Sequence, residues 1–239
     1  MADIHRFRDR AHAGALLARQ LRHYAHAPDA VVLALPRGGV PVGFAIARRL
    51  GIALDVLVVR KLGMPRHEEF AMGAVGSGGV RVLQPGMPGL MGVTEQDIEA
   101  VTARELAELA RREQAYRGTQ DDARPPDVRG KTAILVDDGI ATGSTMLAAI
   151  QVLRRMQPRT LVLAIPVAPP ERVSKLAPQV DELVCLSAPP LFHSVGQWYD
   201  SFDQTSDAQV QALLAAARQA AAATHSPTGG PKNENADDG

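Results

Sequence analysis

Apolar positions along the chain fall into two patterns, and spacing separates them. Short continuous runs bounded by turn formers read as buried strands. They lie at Val31–Leu35, Leu54–Val59, Thr132–Val136, Thr160–Ile165 and about Glu182–Leu186. Elsewhere apolar residues return every three or four positions, the period of a helix with one buried side. One such segment runs from about Asp9 to about Ala27, with Leu16, Leu17, Leu21 and Tyr24 aligned, and another from about Pro41 to Leu50, closed by Gly51. A third starts at Thr94 as N-cap, with Val93 and Ile98 as a hydrophobic staple, and reaches about Tyr116. Further helices are predicted from Ser144 or Thr145 (Met146, Ala149, Ile150 and Leu153 inward), over about Glu171–Leu176, and over about Asp207–Ala222. Strands alternating with helices imply a parallel sheet, hence an α/β fold.

The segments between carry their own signals. Gly63–Glu69 lacks periodicity and predicts a mobile loop. Phe70–Val75 and Val80–Leu83 flank Gly76-Ser77-Gly78-Gly79 and predict a β-hairpin. Gln84–Gly92 reads as a linker and Gly118–Gly130 as a connector into the strand at Thr132. Leu191–Phe202 gathers Phe192, His193, Trp198 and Tyr199 in a chain only 4% aromatic. From His225 the sequence is polar, and residues 225–239 are expected to be a disordered tail.

Composition narrows the class. With 239 residues, 46% of them hydrophobic, the chain suits one α/β domain with appendages, placed at 1–224. A formal net charge of zero gives no reason to expect nucleic acid or a membrane surface as partner. The single Cys185 excludes an internal disulfide and fits a reducing compartment. With no apolar leader and no run of transmembrane length, a cytoplasmic protein is expected.

The chemistry concentrates at the end of the strand Thr132–Val136. Asp137 and Asp138 stand at its carboxyl end, followed by Gly139, Ile140, Ala141, Thr142, Gly143, Ser144 and Thr145 and then a helix. A loop of small residues and hydroxyls feeding a helix N-terminus offers free N–H groups and the positive end of the dipole, a cradle for a phosphate. It has no lysine and is not a Walker A loop. Two adjacent carboxylates suit the hydroxyls of a diol, or a metal. Phosphate and diol one strand-end apart describe a ribose 5-phosphate. A second glycine loop, Pro36-Arg37-Gly38-Gly39, also joins a strand to a helix, with one cation in it. Arg60 and Lys61 follow the strand Leu54–Val59, where open α/β sheets keep their ligands.

The run Ile134–Thr145 resembles the phosphoribosyl-pyrophosphate (PRPP) signature of the type I phosphoribosyltransferases, and the likeness extends from about Val31 to Tyr199. The resemblance implies a Rossmann-like parallel-sheet core flanked by helices, with a flexible loop or β-hairpin and a small hood, here at about 187–206. It implies PRPP and Mg2+ as ligands, transfer of the 5-phosphoribosyl group to a nitrogenous acceptor, release of pyrophosphate, and a place in nucleotide metabolism; a homodimer is compatible with it. Residue by residue, it assigns the pyrophosphate to Arg37, Gly38 and Gly39, in a loop that often carries a non-proline cis peptide, with Lys61 assisting. Asp137 and Asp138 take the ribose hydroxyls, with Mg2+ near them, and Gly139, Ile140, Ala141, Thr142, Gly143, Ser144 and Thr145 take the 5-phosphate. Glu68 and Glu69 are candidates to enter on loop closure, and Glu69, Phe192, Trp198 and Tyr199 are candidates for the acceptor.

One departure bears on that acceptor. Family members acting on 6-oxopurines usually carry an aspartate three residues after the second acid. Here Ala141 stands there and cannot take a proton, so 6-oxopurines are disfavoured. The competing expectation is a PRPP-binding sensor without turnover, though about thirty residues before the first core strand leave little room for a DNA-binding domain.

Overall fold

In the computed structural model, residues 6–65, 67–84, 86, 89, 91–117 and 126–225 are described. Five strands form one parallel sheet in the order β2-β1-β6-β7-β8. They are β1 (Ala30–Ala34), β2 (Ala53–Val56), β6 (Thr132–Val136), β7 (Thr160–Val167) and β8 (Glu182–Ser187). A second sheet is antiparallel, ordered β3 (Val59–Met64), β4 (His67–Gly76) and β5 (Val80–Leu83). The helices are α1 (Arg10–Gln20), α2 (Gly39–Leu50), α3 (Glu95–Arg117), α4 (Ser144–Arg155), α5 (Pro170–Leu176) and α6 (Asp207–His225).

The two-residue period of a strand divides the core into two layers. Val32, Ala34, Ile134, Val136, Val162 and Ala164 face one side, packed by Leu17 of α1, Ile46 of α2 and Leu214 of α6. Leu33, Ala133, Leu135, Leu161 and Leu163 face the other, under Met146, Ile150 and Leu153 of α4. Covering both faces requires apolar residues at every strand position, which explains the unbroken apolar runs. β1 and β6 are neighbours, with Ala34 opposite Val136. The chain leaves β1 for α2 on one face and β6 for α4 on the other. That divergence makes the crevice beyond their carboxyl ends a topological switch point, where open α/β sheets bind ligands.

Three expectations are corrected. The run Leu54–Val59 is not one strand: β2 ends at Val56, the Val58 N–H donates to Ser77 Oγ at 3.0 Å, and Val59 begins the other sheet. An apolar run shared by two sheets looks continuous in sequence. Arg60 and Lys61 therefore lie within β3, not at the tip of a parallel strand. The described residues of the expected loop Gly63–Glu69 lie mostly in strands, Gly63 and Met64 in β3 and His67, Glu68 and Glu69 in β4, with register shifts at Leu62/Gly63 and Gly63/Met64 that hide the alternation. The hairpin of β4 and β5 is present, turned by Ser77–Gly79. α1 stops at Gln20, and a 3-10 turn over Arg22–Tyr24 replaces the rest of the expected helix. The segment around 187–206 holds a short 3-10 turn at Gly196–Trp198 and joins the start of the chain, the Phe7 N–H donating to Trp198 O at 2.8 Å and Asp200 N–H to Phe7 O at 2.8 Å. The expected tail falls outside the described residues beyond His225. No helix among the described residues is long and apolar enough to cross a membrane.

Candidate functional site

The two glycine loops meet. A Cβ on Gly38 would stand 1.9 Å from Asp138 Oδ2, and one on Gly39 would stand 2.8 Å from Val136 O and 3.0 Å from Asp137 Cα. Gly38 has ordinary helical angles (φ −62, ψ −32), so the requirement is for space. The peptide bond Pro36–Arg37 is cis. Arg37 turns outward to α6, its Nη1 3.6 Å from Asp207 Oδ1 in an exposed pair.

The acid pair is buried. Asp137 Oδ1 accepts from the Asp138 N–H at 2.8 Å. Burial, then the neighbouring charge of Asp138, holds the Asp137 carboxyl well above the usual carboxylate range. Burial also pushes Asp138 up, against the opposing pull of Arg10. Arg10 Nε donates to Asp138 Oδ2 at 2.8 Å, with the two side chains 11% and 14% exposed. The Arg10 guanidinium carbon lies 3.9 Å over the Phe202 ring, and Nη1 donates to Asp203 O at 2.7 Å. Tyr199 is buried and its hydroxyl donates to Asp138 O at 2.6 Å. Burial raises that phenol, so it remains a donor across the working pH range.

After the acids, Gly139 passes beneath the hood: a Cβ there would be 2.6 Å from Val195 Cγ1. The Ile140 N–H donates to Val167 O at 2.9 Å and its side chain is core, so Ile140 anchors the loop. Gly143 is the N-cap of α4 in the left-handed region (φ 79) that glycine adopts without strain, and no side chain caps the helix. Ala141, Thr142, Ser144 and Thr145 line the outer side of the loop, with Ala141, Thr142, Ser144 and Thr145 each exposed. Thr142 Oγ1 and Ser144 Oγ are 3.4 Å apart, and Lys61 Nζ reaches Ser144 Oγ at 3.5 Å. Alternation along β3 sends the adjacent Arg60 the other way, to Glu105 of α3 at 2.7 Å.

The structure therefore brings Gly38, Gly39, Asp137 and Asp138 together and sets Lys61 beside the loop at α4. Tyr199 has no exposed face, and Phe192 and Trp198 are half-buried in the cluster around Phe7 and Tyr199. Glu68 and Glu69 lie on β4, but their side chains are outside the described residues. Arg10 is the residue that sequence reasoning missed. Asp9 caps α1, its Oδ1 accepting from the His12 N–H at 2.7 Å, which puts Arg10 in the first turn. A cation there opposes the helix dipole, and that was the available signal that it serves a partner elsewhere.

Among the described residues no three His, Cys, Asp or Glu side chains gather as a metal cage. The donors present at the site are the two carboxylates. Oxygen donors few in number suit a hard cation that keeps water and ligand phosphates in its shell, as Mg2+ does.

The phosphoribosyl transferase domain model matches residues 2–194. Two curated proteins of Mycobacterium tuberculosis, from strains CDC 1551 / Oshkosh and ATCC 25618 / H37Rv, are provisionally named phosphoribosyl transferases. Each is 47% identical over 208 residues, which is 87% of this chain and 46% of theirs. The chain thus spans about half the length of the curated relatives it matches. The crystal structure of TT1426 from Thermus thermophilus is 45% identical, covers 87% of this chain and 97% of that one, and superposes with a TM-score of 0.75.

Proposed function

Since the chain belongs to the phosphoribosyl transferase domain family, we propose that it transfers the 5-phosphoribosyl group of PRPP to a nitrogenous acceptor with Mg2+ present, releasing pyrophosphate. The observation that carries this reading is the contact between the Gly38–Gly39 loop at the tip of β1 and the Asp137–Asp138 pair at the tip of β6. Beside that pair the chain turns into the uncapped start of α4. One short crevice thereby offers an anion site, a diol site and a second anion site in series.

In the reaction the bond from ribose C1 to the pyrophosphate oxygen breaks, a C1–N bond forms, and the acceptor nitrogen gives up its proton. Positive charge develops on the ribose ring and negative charge on the leaving group. The chain's task is to hold both ends still while that charge separates. Asp137 and Asp138 accept the ribose hydroxyls. Arg10 and Tyr199 fix Asp138 in place, one at its side chain and the other at its carbonyl. Free N–H groups at Gly143–Thr145 and the hydroxyls of Thr142, Ser144 and Thr145 hold the 5-phosphate. Gly38 and Gly39 face the pyrophosphate, Arg37 joins them on leaving Asp207, and Lys61 stands beside Ser144 at the 5-phosphate loop. Mg2+, held by Asp137 or Asp138 together with ligand oxygens, supplies neutralisation of the leaving charge when bound.

Ala141 leaves no general base at the position used for 6-oxopurines, so adenine, a pyrimidine or a non-nucleobase amine is the favoured acceptor. A non-catalytic PRPP sensor is the second reading, favoured by Arg10 occupying an oxygen of Asp138 and by the missing base. Pyrophosphate release from PRPP and Mg2+, followed against a panel of bases and amines, separates them. Release with one acceptor establishes the enzyme. Tight PRPP binding with no release on any acceptor supports the sensor.

A further inference from the structure

The candidate site lies beyond the carboxyl ends of β1 and β6. At the opposite end of the sheet, where β1 opens at Ala30 and β2 at Ala53, a second cavity of about 610 Å3 enters between α2 and α6. That volume falls within the roughly 300–1,000 Å3 typical of small-ligand sites. Phe44 and Ala47 of α2, Ile52, and Ala216, Ala217 and Ala220 of α6 line it, and no acid, hydroxyl or thiol joins them. None of these residues has a part in the reading above.

The rim is built by two residues in the left-handed region. His26 (φ 57) donates its N–H to Leu50 O at 2.7 Å, which ties the segment ahead of β1 to the end of α2. Its ring is laid against Gly51 (φ 64), the C-cap of α2, where a Cβ would stand 2.7 Å from His26 Nδ1. Glycine suits that position on both counts, angle and space. A non-glycine residue in the left-handed region is held there by its surroundings, here at a cavity mouth. Beside the two stands Arg48, exposed and in no ion pair among the described residues. His26 and Arg48 are the ionisable residues of the lining, so the cavity joins apolar walls to a basic rim.

We propose that this cavity binds an aromatic carboxylate, a planar apolar body with one negative group, and that Arg48 donates to the carboxylate at the rim. The alanines of α6 present a wall of methyl groups, flat enough for a ring, and Phe44 supplies an aromatic neighbour for it. Arginine suits the charged end because its planar fork matches two carboxylate oxygens at once. The assignment does not rest on the transferase reading, since the two sites share no residue.

Calorimetry on the full chain with naphthoate, and with naphthylmethanol as its uncharged counterpart, tests it. Wild type should bind one naphthoate, and more tightly than the alcohol. Arg48→Ala should weaken naphthoate about tenfold, the lower range for a charge-assisted hydrogen bond, and leave the alcohol unchanged. Arg48→Lys should recover part of that loss. Ala220→Trp, at an exposed position of the wall, should fill the cavity and remove both ligands. Should that variant fold poorly, Ala220→Leu carries the same expectation. Asp137→Asn with Asp138→Asn should bind naphthoate as wild type does, whatever becomes of PRPP. No binding to wild type, equal affinity for acid and alcohol, or wild-type affinity in Arg48→Ala or in the filled variants overturns the assignment. Loss of naphthoate in the double aspartate variant overturns it too, because the probe would then sit in the crevice.

Discussion

Gly38→Ala is the sharpest perturbation available, because one methyl group touches both loops. Its Cβ would stand 1.9 Å from Asp138 Oδ2 and 2.6 Å from Asp138 Cγ, whereas a real Cβ keeps at least 3.0 Å. The carboxylate must therefore yield by more than 1 Å, the shortfall of 1.9 from 3.0. It cannot do so freely, since Arg10 Nε holds that same oxygen at 2.8 Å. The backbone raises no objection, as φ −62 and ψ −32 suit alanine. Replacing glycine where the angles are compatible gains about 0.4–1 kcal/mol through the unfolded chain, while overpacking costs about 1–3 kcal/mol. The net is a destabilisation of about 1–2 kcal/mol, or roughly 2–8 °C in melting temperature for a domain of this size. The functional loss should be larger, because a misplacement of about 1 Å can cost about a hundredfold. Thermal unfolding and PRPP calorimetry on Gly38→Ala, Asp138→Ala and the double variant measure both effects. With Asp138 truncated the methyl has room, so adding Gly38→Ala to Asp138→Ala should cost almost no stability. Additive losses, or wild-type PRPP affinity in Gly38→Ala, would refute the contact between the loops as the organising feature.

Other consequences follow from the same residues. Arg10→Ala strips the cation from an almost buried carboxylate and should cost about 3 kcal/mol; adding Asp138→Asn should recover most of that, and equal melting temperatures for single and double variants would count against the pairing. Asp137 takes up a proton more readily in the folded protein than in the unfolded chain, because burial and Asp138 raise it. Its contribution to stability is therefore full below the ordinary carboxylate pKa and is lost as pH rises toward the raised value. Asp137→Asn, which keeps an acceptor for the Asp138 N–H, should make the ligand-free protein more stable than wild type at pH 7 by about 1–3 kcal/mol. That gap should close near pH 4, and one independent of pH would contradict the sign worked out here. Asp207→Asn removes the exposed partner of Arg37 and should shift stability by less than about 0.5 kcal/mol while tightening PRPP binding, a change readable by calorimetry.

The parallel core was legible because β6 and its neighbours are buried on both faces, which forces an apolar residue at each position. The loop Gly139–Thr145 ahead of α4 was legible as a loop because its small residues and hydroxyls stand in one local run. What escaped was non-local or masked by irregularity. Arg10 meets Asp138 across 128 positions of chain, and nothing near either residue encodes that meeting beyond a cation in a first helical turn. Tyr199 looked like an aromatic face for a ligand, yet its hydroxyl braces the acidic loop, a role set by the pairing of Phe7 with the hood. The bulges at Gly63 hid β3 and β4, and with them the alternation that sends Lys61 to Ser144 and Arg60 to Glu105.

The central claim is that Asp137 and Asp138 hold the ribose of PRPP between two anion loops. Titration calorimetry of PRPP with Mg2+ into the wild-type protein and into Asp137→Asn with Asp138→Asn tests it directly. Binding to the wild type and loss of detectable binding in the double variant is the result expected. Unchanged affinity in the double variant, or no binding to the wild type, would contradict it.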